Sequence, residues 1–374
     1  MSEGADASET SDDTAGQRPG RVTGTETPGV DAARWQIRGY ALGDVSAAGG
    51  AFVWTFVSLA ILFGPIEQPL ALAPLVLVPV GVRMAARPRF SGVADRFHAA
   101  ATLLQPVGAL LVTISVVIPP GTTAAALAVP WVLVTALLGL AGLARVRDRL
   151  GSVWQRDGGD GTGGPNGRGE PDSVWTAFTA PETLIDAGFA YVTVGSVALV
   201  LSHLNVTFWF DPAIILLTAV HFHYAGFVLP VFTGFAGRCV GPTGDPLYRP
   251  LAAVVLMGPA LIAVGISFSP VVEFAAVGAF TLAVALLGGY VAVRVASQRP
   301  RAQRALLGLA ALALPVSMAL ALGYGIGAYT GNPPLGLTLD TMVTFHGSLN
   351  AYAFGLCGLV AWRLSVPVGV ERRE

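Results

Sequence analysis

Ten apolar stretches, each long enough to cross a hydrocarbon core of about 30 Å as a helix, leave this chain few folds to choose from. They run over residues 46–64, 69–87, 97–118, 123–144, 183–204, 212–236, 250–269, 273–295, 303–327 and 338–363 of the 374. Composition agrees, because 53% of the residues are hydrophobic and only 12% are charged, about half the charge density of a soluble domain. The fold expected is all-α, a polytopic integral membrane helix bundle of about ten transmembrane helices with short antiparallel connections.

The basic residues test that count. All 22 are arginine, and cations retained on the cytoplasmic side orient membrane helices. With the amino terminus inside, ten spans require arginines before the first span and after the second, fourth, sixth, eighth and tenth. The groups Arg18 to Arg38, Arg83 to Arg96, Arg145 to Arg168, Arg238 and Arg249, Arg294 to Arg304, and Arg363 to Arg373 all comply. Glu67, Asp211, Glu273 and Asp340 edge the turns on the other side. Both termini are therefore expected in the cytoplasm, and the protein in the cell membrane with the lipid bilayer as its main partner.

Residues 1–40 are polar and acidic, with no apolar run of the length a secretory signal needs, and read as a disordered cytoplasmic tail. Residues 41–150 form a four-helix membrane region. Residues 151–180, which include GGDGTGGPNGRGEP, read as a Gly-rich cytoplasmic linker. Residues 181–365 form a six-helix membrane region, and 366–374 a cytoplasmic tail. The absence of lysine and the abundance of alanine, glycine and valine suggest a GC-rich, salt-loving host, in the manner of a halophilic archaeon.

Several chemistries lack their motifs. Cys239 and Cys357 are the only cysteines, too far apart for a zinc or iron–sulfur motif. No phosphate-binding loop, dinucleotide fingerprint or nucleophile elbow stands in a fitting context. Soluble-enzyme chemistry is not expected, no catalytic residue is assigned, and nucleic acid is not an expected partner.

The polar exceptions inside the apolar spans carry the functional signal, since an ionisable side chain at membrane depth needs a physical reason. His221, His223 and Tyr224 lie in the sixth span, His346 and Asn350 in the tenth. Both helices enter from the same side. At about 1.5 Å per residue, His221 and His346 each lie roughly 14 Å deep. Equal depth permits the imidazoles to meet. Residues two apart on a helix point about 200° from one another, so His221 and His223 serve different neighbours. Asn350 and Tyr224 are candidates to orient an imidazole, and Asp340 to line a vestibule above His346.

Three roles fit such a cluster: interhelical hydrogen bonding, ligation of a haem iron or another metal by His346 with His221 or His223, and a polar station for a transported or sensed solute. A small solute or a redox partner would accompany the last two. His203 reads as interfacial and His98 as solvated. Asp186 reads as an acid in the first turn of its helix, favoured by the helix dipole and facing the interface.

HFHYAGF at 221–227 and HGSLNAYAFG at 346–355 resemble the signature of the YndJ-like family of bacterial and archaeal membrane proteins, with the likeness resting on about Pro181 to Trp362. The resemblance implies a signature of His221, His223, Tyr224, Gly226, His346, Gly347 and Asn350. It implies no reaction, although family members are sometimes labelled transporters. A shorter likeness joins HFHY to subunit I of haem–copper oxidases, where two histidines of one helix bind two haems. The other histidine motifs of such an oxidase are missing here, which leaves room only for a simpler haem-binding or electron-passing protein.

Overall fold

The computed structural model describes residues 35–60, 62–87, 89–157, 173–240, 245–332 and 336–369. Residues 1–34 of the expected amino-terminal tail, the centre of the Gly-rich segment and the last five residues lie outside them. The described chain is almost wholly helical. A hairpin of two-residue strands, Gln36–Ile37 with Tyr40–Ala41, precedes the first helix.

Nine helices among the described residues are long and apolar enough to cross a membrane. They are α1 (Leu42–Leu59), α2 (Glu67–Ala85), α3 (Gly92–Val117), α4 (Thr122–Asp157), α5 (Pro181–His203), α6 (Pro212–Val240), α7 (Tyr248–Phe268), α8 (Pro270–Gln298) and α9 (Arg301–Thr330). A tenth continuous helical segment, α10, covers 339–364. It is more polar than the other nine because it carries His346 and Asn350, besides Asp340 and Arg363. The chain is a multi-pass α-helical membrane protein. Its helices extend a few residues past the apolar stretches, most of all α4, whose last turns run into the Gly-rich segment as far as Asp157. Beyond the undescribed centre of that segment stands a short helix, Val174–Phe178, started by a Ser173/Thr176 capping box.

The outward-facing surface is apolar. Phe52, Phe56, Leu282, Leu312 and Val293 are all at least 60% exposed, a distribution that water would penalise and lipid favours. Trp154 and Trp175 near one end of the helices, and Phe208 and Trp209 near the other, are also exposed, as expected of rings at the two lipid–water boundaries.

Inside, small residues let helix backbones approach. A Cβ on Gly142 of α4 would lie 2.6 Å from the Asp186 carbonyl oxygen of α5, and one on Gly195 of α5 would lie 3.0 Å from that of Ala219 in α6. With lipid as the solvent, such close contact is a main source of helix association. The second half of α6 sits at the centre, with Phe227, Phe232 and Phe235 wholly buried and packed among α5, α7 and α10.

At the arginine-rich end a buried ionic network holds this core together. Arg145 reaches Asp186 and Glu182, each at 2.6 Å. Arg149 pairs with Asp186 as well, and Arg238 holds Glu182 at 2.7 Å. Arg238 also donates to the Ala85 carbonyl at 3.0 Å and to the Pro367 carbonyl at 3.3 Å. One cluster therefore ties together the ends of α2, α4 and α6, the start of α5 and the segment after α10. Asp186 does not face the interface, as its place in the first turns of α5 suggests. It is 1% exposed because two arginines one turn apart on α4 bring their guanidinium groups to it and replace the water it would otherwise need.

Candidate functional site

The two halves of α6 have different neighbours. Its second half is enclosed, whereas Pro212–His223 packs on α5 and touches the start of α2. On the far side, α10 packs against α9. The space left between them is a cavity of about 830 Å³, lined by residues of α5 to α10 and the start of α2. Its walls are chiefly aliphatic and aromatic, with Val197, Thr281 and Met318 among them. Among the described residues no arginine, aspartate or glutamate lines it.

His221 and His346 meet in this cavity. Their ring centroids are 6.4 Å apart with the planes inclined at 34°. The Nδ1 atom of His221 lies 2.7 Å from the Leu217 carbonyl oxygen one turn back on α6. In His346, Nδ1 lies 3.0 Å from the Ser317 carbonyl oxygen and 2.9 Å from its hydroxyl, both on α9. A carbonyl oxygen only accepts, so each Nδ1 carries the proton and each Nε2 presents a bare lone pair. Neither Nε2 has a hydrogen-bond partner among the described residues, and His221 is exposed although it sits mid-helix, because the cavity lies beside it.

Asn350 supports His346 indirectly. Its amide donates to the Ser317 hydroxyl at 2.5 Å and to the His346 carbonyl at 2.8 Å, so that α10 and α9 are locked where the imidazole leaves the helix. The expected role of Asn350 in orienting an imidazole thus runs through Ser317, a residue that the sequence pattern left unmarked. Three irregularities frame the site. Met342–His346, Leu349–Leu356 and Tyr224–Val228 are π-helical, which widens the helix and rotates the residues beyond, and such segments frequently occur at working sites.

His223 points elsewhere, as its spacing from His221 requires. Its Nδ1 lies 2.7 Å from the Ala219 carbonyl oxygen, and its Nε2 accepts from the Trp131 indole of α4 at 3.0 Å. Both nitrogens are engaged in a site 1% exposed, and none remains for a ligand. Tyr224 also turns away from the imidazoles and donates to the Pro69 carbonyl at 2.9 Å, while its ring still lines the cavity. Asp340 is exposed and is not among the cavity-lining residues.

The two remaining histidines stand apart from the chamber. His203, the last residue of α5, is 8% exposed and its Nε2 is 3.2 Å from the Ser115 hydroxyl of α3. His98 is not solvated, since its Nε2 is buried and its ring packs edge-on to Phe90 at 4.8 Å. Cys239 and Cys357 are unpaired, and among the described residues no group of three or more histidine, cysteine or acidic side chains could hold a metal ion.

Fold and site together define a polytopic membrane protein with an apolar chamber inside its bundle and paired imidazoles on the chamber wall. The chain belongs to the YndJ-like family, whose model matches residues 69–354, a range that holds the whole of α6 together with His346 and Asn350. Over 163 residues it is 34% identical to a protein of Bacillus subtilis (strain 168) described as an uncharacterized membrane protein YndJ. That alignment covers 44% of this chain and 29% of the relative's length. No solved structure matches the chain.

Proposed function

We propose that this protein binds a lipophilic small molecule within the bilayer and carries or senses it, with His221 and His346 as the polar station. The cavity is the observation that supports this reading: a volume of about 830 Å³ with an apolar wall falls in the range that takes a ligand of drug size. The two imidazoles supply acceptors that select a ligand with donor or Lewis-acid character. In this reading the arginine-rich end faces the cytoplasm, the protein resides in the cell membrane, and the ionic network closes the chamber on that side.

Photoaffinity labelling in nanodiscs with a diazirine-bearing long-chain alcohol tests it. Labels are expected on cavity residues such as Val197, Thr281 and Met318, and an Ala321→Trp substitution in the cavity wall should remove them. Labels confined to lipid-facing side chains such as Phe52 and Phe56, unchanged by that substitution, contradict a binding chamber.

A further inference from the structure

We infer that the ligand of this chamber is a neutral lipid alcohol, whose hydroxyl head donates to the Nε2 atom of His221 or His346. The inference rests on the binding reading above and narrows it to one class of head group. Two observations carry it: the wall bears no charge, and nearly all the hydrogen-bonding capacity left on it is acceptor.

Charge excludes the ionic lipids. Among the described residues no arginine, aspartate or glutamate lines the cavity, and the chain contains no lysine. A phosphate or carboxylate head brought here would lose its water with no cation to replace it, and an ammonium head would lose it with no carboxylate. A neutral head meets neither cost.

The polar side chains on the wall then sort by what they have left to offer. The hydroxyls of Thr193, Thr218, Tyr224 and Ser267 donate to the backbone carbonyls of Thr135, Ile214, Pro69 and Ala263. A hydroxyl spent in this way has only lone pairs to give. In His221 and His346 the proton is held at Nδ1 by the Leu217 and Ser317 carbonyl oxygens, so each Nε2 is an acceptor. The amide nitrogen of Asn350 is committed to the Ser317 hydroxyl and the His346 carbonyl, which leaves Oδ1 as a further acceptor one turn from His346. Of the groups lining the cavity, only the hydroxyls of Thr281 and Tyr324, on α8 and α9, keep a proton uncommitted among the described residues.

Such a wall reads a head group by its proton. An alcohol donates to a bare imidazole nitrogen, whereas a ketone, ester or ether on the same chain sets lone pairs against lone pairs and leaves that nitrogen unpaired, the costlier outcome. One hydroxyl on either ring is enough, and the two nitrogens need not converge on one atom. The depth of the rings gives the choice a use: a hydroxyl passing this far into the bilayer is cut off from water, and acceptors placed here offset the loss. His223 takes no part, since both its nitrogens are engaged by Trp131 and the Ala219 carbonyl.

Competition in nanodiscs tests the inference. The diazirine-bearing alcohol labels the chamber, and octadecanol, its methyl ether, the matching methyl ketone and octadecane sulfonate are added at equal mole fractions of the lipid. Octadecanol is expected to displace the label from Val197, Thr281 and Met318, the ether and the ketone to need about tenfold more, and the sulfonate not to compete. A His221→Leu/His346→Leu variant should still be labelled by a diazirine methyl ether, but the advantage of the alcohol over the ether should vanish. His346→Gln, whose amide both donates and accepts, should narrow the gap between ketone and alcohol. Imidazoles with a purely structural role would alter the melting temperature and leave the order of head groups unchanged. The competitor series on the unaltered protein needs no substitution, so it decides the matter even where a variant does not elute as a single species.

Equal competition by alcohol and ether on the unaltered protein overturns the inference. So does an alcohol preference that survives in the double variant, or stronger competition by the sulfonate. In each of these cases a label that remains on the three cavity residues leaves the binding chamber standing. If neither the alcohol probe nor its methyl ether labels them, both readings fall.

Discussion

The two halves of α6 make opposite use of the same helix. From Leu229 onward it is enclosed, with Phe232 and Phe235 at zero exposure and Arg238 anchored in the ionic network. Before Tyr224 it borders a chamber, and His221 there keeps a nitrogen with no partner among the described residues. Stability and recognition are thus separated along one helix. A buried ion pair adds little net stability by forming, yet removing one partner is costly, so the arginine-rich half resists change. A free imidazole nitrogen in a chamber contributes little to folding, which leaves it available for a ligand.

Substitutions rank the two halves. The largest effect is expected from Asp186→Ala, which leaves Arg149 buried without a carboxylate and Arg145 with Glu182 alone and should cost about 3–5 kcal/mol, seen as a collapse of the melting temperature in detergent. Survival with unchanged melting would show that the network is not a structural clasp. Gly142→Ala comes next. Its new methyl would lie 2.6 Å from a backbone oxygen, a collision worth about 1–3 kcal/mol. Trp131→Phe leaves the His223 Nε2 buried without its donor and should cost about 1–3 kcal/mol, again in thermal melts. His346→Ala should be mildest, at under about 1 kcal/mol, while chamber labelling changes. A loss on the scale of Asp186→Ala would erase the distinction between the halves.

Much of this arrangement can be read from the chain before folding. Apolar length and arginine alternation locate the helices, and α2, α4, α6 and the segment after α10 do gather at one arginine-bearing end. Counting residues also places His221 and His346 at one depth, and their rings do meet. The choice between His221 and His223 is not legible, because it depends on Trp131, 92 positions from His223 and on a helix whose rotation the sequence does not reveal. Ser317 is hidden for a similar reason: a serine in an apolar helix looks like packing until α10 sets His346 against it. Asp186 misleads because a first-turn acid is ordinarily a surface residue. The four-residue spacing of Arg145 and Arg149, which puts both on one face of α4, was the available clue to its burial. The cavity itself leaves no sequence trace, since it is the space that remains where helices do not touch.

The shared site depends on α6 and α10 bringing two imidazoles together, and disulfide-length crosslinking tests it most directly. In a Cys239→Ser/Cys357→Ser background, a His221→Cys/His346→Cys pair is treated in membranes with a short bifunctional thiol reagent and analysed by mass spectrometry of proteolytic fragments. Efficient linkage between the α6 and α10 peptides, absent from a His223→Cys/His346→Cys pair, is the expected result. Equal linkage of the two pairs, or no linkage of the first while both thiols react singly, would contradict a shared site.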